Sequence, residues 1–406
     1  MRAARRPARL MAGIAALAAA YIFSQFYRSF LAVLTPVLTE ELGMSKADLS
    51  QASGLWFLTF ALMQFIVGVS LDRFGPRRTA TILFAVGVGG GAFLFAAATT
   101  PVEIIVAMSL IGIGCSPVLM AAFFIFAYTF PAARFAIASS WFVALGTAGN
   151  VIGAKPLAIA VESFGWRETI FGLGLLSLLT ALAIYAFVRD PQVEREEDGG
   201  IGLSGYVALM KIPALWLIIP LVAVNYAPAA GMRGLWVGPY LADVFGASTQ
   251  LIGTISLFMA ISMILGSVLY GPLDTLLGTR KWVSFFGNFL GALALIALAL
   301  FPVQPLWQVT ALLFAIGLFG ASYGVLMAHA RDFFPKELTG RGVTLMNFFT
   351  IGGVGLGQFL TGQMAQARFD PLDPAPTFSM LFGFYGAILA LTVAIYFFSQ
   401  DKKPGQ

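Results

Sequence analysis

Twelve times along the chain a run of about 20 residues passes with few or no charges, and this repetition limits the fold more than any other feature. Each run is long enough to cross a hydrocarbon core of roughly 30 Å as a helix, the form in which a single segment satisfies its own backbone groups away from water. The runs lie near 11–34, 51–70, 79–98, 103–128, 137–160, 169–188, 213–240, 249–270, 282–301, 307–330, 341–365 and 378–398. With 59% hydrophobic residues and a mean hydropathy of +0.87, a water-soluble fold would lack polar surface to present. The expectation is an all-α membrane protein of twelve transmembrane helices set in a lipid bilayer. The basic start, MRAARRPAR, precedes an apolar run too long for a secretory leader and is read as leading into a retained first span.

Lysine and arginine orient the chain. If twelve spans place both ends on one side, eighteen Lys and Arg fall on that side and only Lys46, Arg167 and Arg368 on the other. That bias predicts a multi-pass protein of the cell's inner membrane with both termini cytoplasmic. It also accounts for the net charge of +5, so no nucleic-acid partner is expected. A single cysteine, Cys115, excludes a disulfide framework and a cysteine metal cluster. No cofactor and no metal centre are expected, and the working unit is read as a monomer.

The polar segment "RDPQVEREEDGGIGLSGYVALMKIP", 189–213, divides the chain nearly in half. The expected organisation is an N-terminal six-helix bundle over 1–188, a cytoplasmic linker over 189–212 and a C-terminal six-helix bundle over 213–406. Three landmarks repeat at one offset. Pro36 in "TPVLTE" matches Pro239 in "GPYLAD", 203 residues on; Asp72 in "LDRFGPRR" matches Asp274 in "LDTLLGTRK", 202 on; and Pro131 in "TFPAAR" matches Pro335 in "FFPKELTGR", 204 on. A duplicated six-helix unit of this kind is the trace of a carrier whose two bundles alternate access to a solute.

"GVSLDRFGPRR", between spans two and three, resembles the signature loop of the major facilitator superfamily, and "LDTLLGTRK" stands where that family has its second copy. The resemblance extends over essentially the whole chain and implies the two-bundle fold and transport by alternating access. Gly68 would allow close helix approach. Asp72, just past a span end, can accept hydrogen bonds from the N-terminal amides of a neighbouring helix. Arg73, Arg77 and Arg78 would then pair with Asp72 or with carboxylates of the other half. The resemblance implies that Gly68, Asp72, Arg73, Gly75, Arg77, Arg78 and Asp274 form a cytoplasmic gate; the plainer alternative is that the charges only anchor topology.

Inside the spans the sequence leaves three cations, Arg28, Lys155 and Arg233, and no Asp or Glu near a span centre. An intramembrane ion costs about 2.5–3.5 kcal/mol or more at a helix centre, so each marks a candidate site. Arg28 in "SQFYRSFLAVLTP" and Arg233 in "GMRGLWVGPY" lie 205 residues apart, at near-equivalent places in spans one and seven. Two guanidiniums facing one cavity would suit a phosphate, a carboxylate or a planar electron-rich ring. Alternatively, both snorkel to the outer surface. Lys155, read as late in its helix, is assigned to a local ion pair with Glu162.

Span seven carries Pro228 and glycines on both sides of Arg233 in "NYAPAAGMRG", which predicts a broken helix that lines a cavity or is covered by protein. Asn225 and Tyr226 precede the break, and Tyr21, Gln25 and Tyr27 lie at matching depth in span one. Asn150 and Asn347 complete the predicted solute-binding set of Arg28, Arg233, Tyr27, Gln25, Asn225 and Tyr226. Gln51, Gln64, Asn288 and Gln358 are further polar candidates that can instead bridge helices. Glu103 and His329 sit at span ends, His329 read as a satisfied helix-end group. They leave the coupling ion open.

Within the superfamily, "YRSFLAVLTPVLTEELGMSKADLSQASGLWFLTFALMQF" and "RGLWVGPYLADVFG" resemble a bacterial group of copper importers and related riboflavin importers. Copper is disfavoured, because Met232 has Pro228 rather than a ligand four residues earlier and span eight offers Met259 and Met263 without histidine. Riboflavin is the favoured small-molecule substrate on this reading, since Tyr, Asn, Gln and Arg suit a planar ring system. An organic anion or phosphate ester is the runner-up, and drug efflux the third reading. No nucleophile, acid–base constellation or phosphate loop points to an enzyme; the glycine-rich "GVGGGAF", 87–93, lies inside a span and reads as helix packing.

Overall fold

A computed structural model describes residues 2–130, 138, 141–191, 203–335 and 338–401. Among these residues every regular element is helical. Nine helices are each long and apolar enough to cross a membrane: Lys46–Leu71, Arg73–Ala97, Pro101–Thr129, Trp166–Phe187, Thr249–Asp274, Arg280–Leu300, Leu306–Arg331, Arg341–Arg368 and Ala375–Tyr396. They occupy expected spans two, three, four, six and eight to twelve.

The three remaining spans are broken, which is why length alone misses them. Span one bends by 53° between Leu10–Phe26 and Leu31–Leu42, and span five by 42° between Trp141–Ile152 and Lys155–Phe164. Span seven is a chain of short pieces, Pro213–Trp216, Ile219–Val224, Ala227–Gly231, a π-helical turn Met232–Trp236, and Val237–Phe245. The sequence predicted the break in span seven from its proline and glycines. It read span one as continuous over 11–34, and the interruption at residues 27–30 corrects that reading. Lys155 is likewise corrected: it opens the second piece of span five and is exposed.

Local chemistry sets the ends. Span four opens on a capping box in which Thr100 and Glu103 exchange hydrogen bonds, with Pro101 at the first helical position, where its missing N–H costs nothing. Gly43, Gly246 and Gly278 close helices in the left-handed region, at φ 63°, 61° and 63°. Span three loosens into a π-helical stretch, Phe84–Gly90, where it meets span four. A Cβ on Gly87 would lie 2.5 Å from the Gly114 Cα, and one on Gly114 would lie 2.4 Å from the Val88 nitrogen. The two backbones therefore touch, as the glycine run predicted.

The contacts divide the chain into two units, Met1–Met44 with Leu55–Ile201, and Ser45–Gly54 with Gly202–Gln406. The start of span two thus packs with the second unit. There Lys46 Nζ lies 2.5 Å from Asp243 Oδ2 and 4.9 Å from the Phe369 ring centre. The Ser50 hydroxyl donates to the carbonyl of Gln358. Most of the expected linker, residues 192–202, lies outside the described residues, as does the "PAAR" of the landmark at Pro131.

Candidate functional site

Each intramembrane arginine sits where the α-helix gives way. In the first unit, span one stops at Phe26 and resumes at Leu31, and Arg28 occupies the turn between. Its guanidinium carbon lies 5.4 Å from the Trp56 ring centre and 5.1 Å from that of Phe60, both on span two. Cation–π contact of this kind contributes about 0.5–2 kcal/mol and leaves the planar N–H donors available for an acceptor. Arg28 Nε is buried without a hydrogen-bond partner.

Its neighbours divide into two sets. Asn150, on span five, is buried with Oδ1 unpartnered, and Gln25 donates to the Tyr21 hydroxyl at 2.7 Å. Spans one and five cross closely here: a Cβ on Gly149 would strike the Ile22 carbonyl and the Phe26 nitrogen. Tyr27, 1% exposed, is instead wrapped by Phe23, Phe26 and Phe30, so in this structure it packs among rings.

In the second unit Asn225 and Tyr226 form the second break of span seven, and Arg233 lies in its π-helical turn at 1% exposure. A π turn widens the helix by one residue and is frequent at functional positions. Around that turn the Trp236 indole donates to Thr361 Oγ1 at 3.0 Å. The Tyr385 hydroxyl fills the space that a Cβ on Gly231 would take, 2.6 Å from it, and lies 3.6 Å from a Cβ on Gly357. Gln358 is fully buried with both amide atoms unpartnered. Asn347 is half-buried and accepts from the Tyr323 hydroxyl at 3.3 Å.

Trp56, Phe60, Trp236, Thr361 and Tyr385 were not singled out from sequence. Aromatic residues are frequent throughout the chain, at 14%, and nothing local distinguishes these from lipid-facing ones.

The turns after spans two and eight are closed largely by residues the sequence did not nominate. Gly75, at φ 81°, ends the first helix, and Pro76 starts the next. The carboxylate of Asp190, just past span six, packs against Gly75 and accepts from the Arg77 backbone N–H at 2.8 Å. Arg77 Nε donates to the Tyr185 carbonyl at 2.7 Å, its guanidinium 4.2 Å from the Tyr185 ring centre. Arg73 lies against Phe74, and Arg78 is exposed. The side chain of Asp72 lies outside the described residues. Gly68 is exposed with nothing within 4 Å of its Cβ position, which corrects its expected role as a close-approach point; the glycines that bring helices together lie deeper in the spans.

In the second unit Asp274 lies 3.2 Å from Arg280, and Arg280 Nη1 reaches both oxygens of Asp332 at 2.6 Å. Asp401, just past span twelve, accepts from Thr279 Oγ1 at 2.5 Å and from the Lys281 backbone N–H at 3.2 Å. The repeat offset could have found Arg280, which stands 203 residues after Arg77. A double-mutant cycle across Arg280 and Asp332 is expected to return a coupling of about 1–2 kcal/mol, because the pair is charge-assisted and mostly shielded. A value near zero, measured by thermal melts, would reduce the contact to surface decoration.

His329 is fully buried, with Nδ1 2.6 Å from the Tyr396 hydroxyl and Nε2 2.8 Å from the Gln400 carbonyl, the arrangement of a satisfied helix-end group. Among the described residues no three His, Cys, Asp or Glu side chains gather as metal ligands.

Three kinds of likeness bear on this arrangement. The family model described as Major Facilitator Superfamily matches residues 17–235 and 229–406. The chain is 23% identical over 347 residues to the sialic acid transporter NanX of Escherichia coli (strain K12), covering 82% of each chain. It is also 23% identical over 269 residues to the probable sulfoacetate transporter SauU of Cupriavidus necator, covering 63% of this chain and 62% of that one. Among solved structures, a bacterial homologue of the lysosomal transporter Spinster, inward-facing and occupied, superposes with TM-score 0.75 at 18% identity, covering 95% of this chain and 96% of that one. A D-xylose–proton symporter gives TM-score 0.76 at 14% identity, covering 96% and 97%.

Proposed function

Because the chain belongs to the major facilitator superfamily and is a multi-pass transporter rather than an enzyme, we propose that its solute is a small organic anion recognised through arginine. The observation that carries this reading is the placement of Arg28 and Arg233. Both are cations within apolar spans, both sit on turns where the α-helix is interrupted, and a guanidinium can fork hydrogen bonds to an acid group. The names of two relatives give support, since sialic acid carries a carboxylate and sulfoacetate a carboxylate and a sulfonate. On this reading transport runs by alternating access with both termini cytoplasmic, and the arginines recognise the acid group.

Riboflavin is the second reading. Trp56, Phe60, Trp236 and Tyr385 offer the stacking faces that a flavin needs. The names of the relatives do not point to a flavin.

Uptake into proteoliposomes decides between the two. Labelled monocarboxylates and sulfonates are expected to accumulate above protein-free vesicles and to compete with one another, while riboflavin is expected neither to accumulate nor to compete. Riboflavin accumulation unaffected by excess carboxylate would reverse the ranking. Arg28→Ala is expected to raise the KM for the anion about tenfold or more, the scale for losing one charge-assisted contact.

A further inference from the structure

Two helix breaks in the second unit face one small cavity. Asn225 opens the break in span seven, between Ile219–Val224 and Ala227–Gly231, and Gly320–Ser322 form the break in span ten, between Leu306–Phe319 and Tyr323–Arg331. Asn288, in the middle of span nine, stands beside both. The cavity, lined by Asn225, Asn288, Gly291, Phe319 and Gly320 among others, holds about 10 Å³ for the centre of a water-sized sphere, room for one water or one small ion.

Its polar chemistry is one-sided. The Asn288 amide nitrogen is spent on the Ser284 carbonyl at 2.8 Å and on Ser322 Oγ at 2.9 Å, and the Asn225 amide nitrogen lies 3.5 Å from the same Ser322 oxygen. The other ends, Asn288 Oδ1 and Asn225 Oδ1, have no hydrogen-bond partner although both residues are 1% exposed. Pro228 lacks an N–H, so the Val224 carbonyl in the same break also loses its usual i+4 donor. Two residues with unpartnered amide oxygens, Asn225 and Asn288, thus line a space that has no charged residue in its walls.

We propose that this cavity is a binding site for a small monovalent cation, Na⁺ in the first instance. Hard cations take oxygen ligands, and the absence of a carboxylate in the lining favours a single charge over two. Carbonyls freed where a span unwinds are the ligands transporters offer to Na⁺. The site also answers a question left by the sequence: with no Asp or Glu near a span centre to carry a proton, a neutral-oxygen cation site supplies a different coupling ion.

The coupling part of the proposal rests on the organic-anion reading. Arg233 follows Asn225 by eight residues, about 12 Å along a helix, so an anion recognised there would attract a cation in the cavity. Na⁺ and anion therefore favour each other, by roughly tenfold in apparent affinity at an effective dielectric constant near 20.

The test uses the purified full-length carrier in NaCl, KCl or choline chloride at equal ionic strength. NaCl alone is expected to raise the Tm saturably, by roughly 2–5 °C, and to lower the KM for a monocarboxylate about tenfold. Asn288→Ala is expected to abolish the Tm response and Asn288→Asp to preserve or strengthen it. Should Asn288→Ala fail to fold, the wild-type salt series and equilibrium binding of ²²Na⁺ decide alone. Identical Tm values in the three salts, with no ²²Na⁺ bound, would make the cavity a water site and overturn the proposal. A Na⁺ response in a protein that carries no anion would keep the cation site and overturn the anion reading; anion uptake with no response to Na⁺ would do the reverse. A Tm response with unchanged anion KM would keep the site and overturn the coupling.

Discussion

Arg233→Ala is expected to lower kcat/KM for a carboxylated solute about a hundredfold, roughly 2.7 kcal/mol, while the protein still purifies folded with a Tm near that of the parent. The size follows from burial. At 1% exposure the guanidinium interacts in a medium of low polarity, where truncating one partner of a charge-assisted pair costs about 2–5 kcal/mol. Arg233→Lys keeps the charge but loses the planar fork, and is expected to recover about a tenth of the parent activity. The π-helical turn beneath the side chain is backbone architecture that either substitution leaves in place. Neutral solutes, if carried at all, are expected to be insensitive. An alanine variant that transports the anion within threefold of the parent would remove Arg233 from recognition.

Gly114→Val is expected to cost about 3 kcal/mol or more of stability and to lower the Tm by roughly 5–10 °C in mild detergent. No side-chain rearrangement can relieve it. The atoms that a new Cβ meets at 2.4–2.8 Å are the Val88 nitrogen, the Gly87 carbonyl carbon and the Leu83 carbonyl oxygen, all backbone. Spans three and four would have to separate, which opens space along a contact that lipid cannot fill neatly. Gly90→Val is the control, since Gly90 lies in the π-helical stretch of span three that Gly114 of span four meets, yet has nothing within 4 Å of its Cβ position. Equal loss at both positions would show that the close approach does not set the cost.

The large architecture could be read from the sequence because hydrocarbon thickness and backbone hydrogen bonding leave a chain this apolar almost no alternative. Pro228 likewise announced the break in span seven by the donor it lacks. The break at 27–30 had no such marker, for "YRSF" contains neither proline nor glycine. Its cause lies across the bundle, where Gly149 and Gly153 of span five press against Ile22, Phe26 and Ser29. Arg28 was picked out by its charge, and its partners Trp56 and Phe60 were not, because an aromatic residue in a membrane span carries no mark of which way it faces. The acids Asp190, Asp332 and Asp401 read as ordinary polar residues beyond span ends; only folding brings each to a neighbouring turn.

Asp190 and Asp401 also say something about how the two halves descend from one another. Three sequence landmarks repeat at offsets of 202–204, yet these two acids are 211 residues apart, so no alignment of the halves at the common offset would pair them. Each nevertheless comes from just beyond the last helix of its unit and receives a backbone N–H from the opening turn of that unit's third helix. In both units a carboxylate from beyond the last helix fastens the same joint. What was inherited at that place is a fastening rather than a position, and the search for ancestral constraints in such chains belongs among contacts as much as among columns of residues.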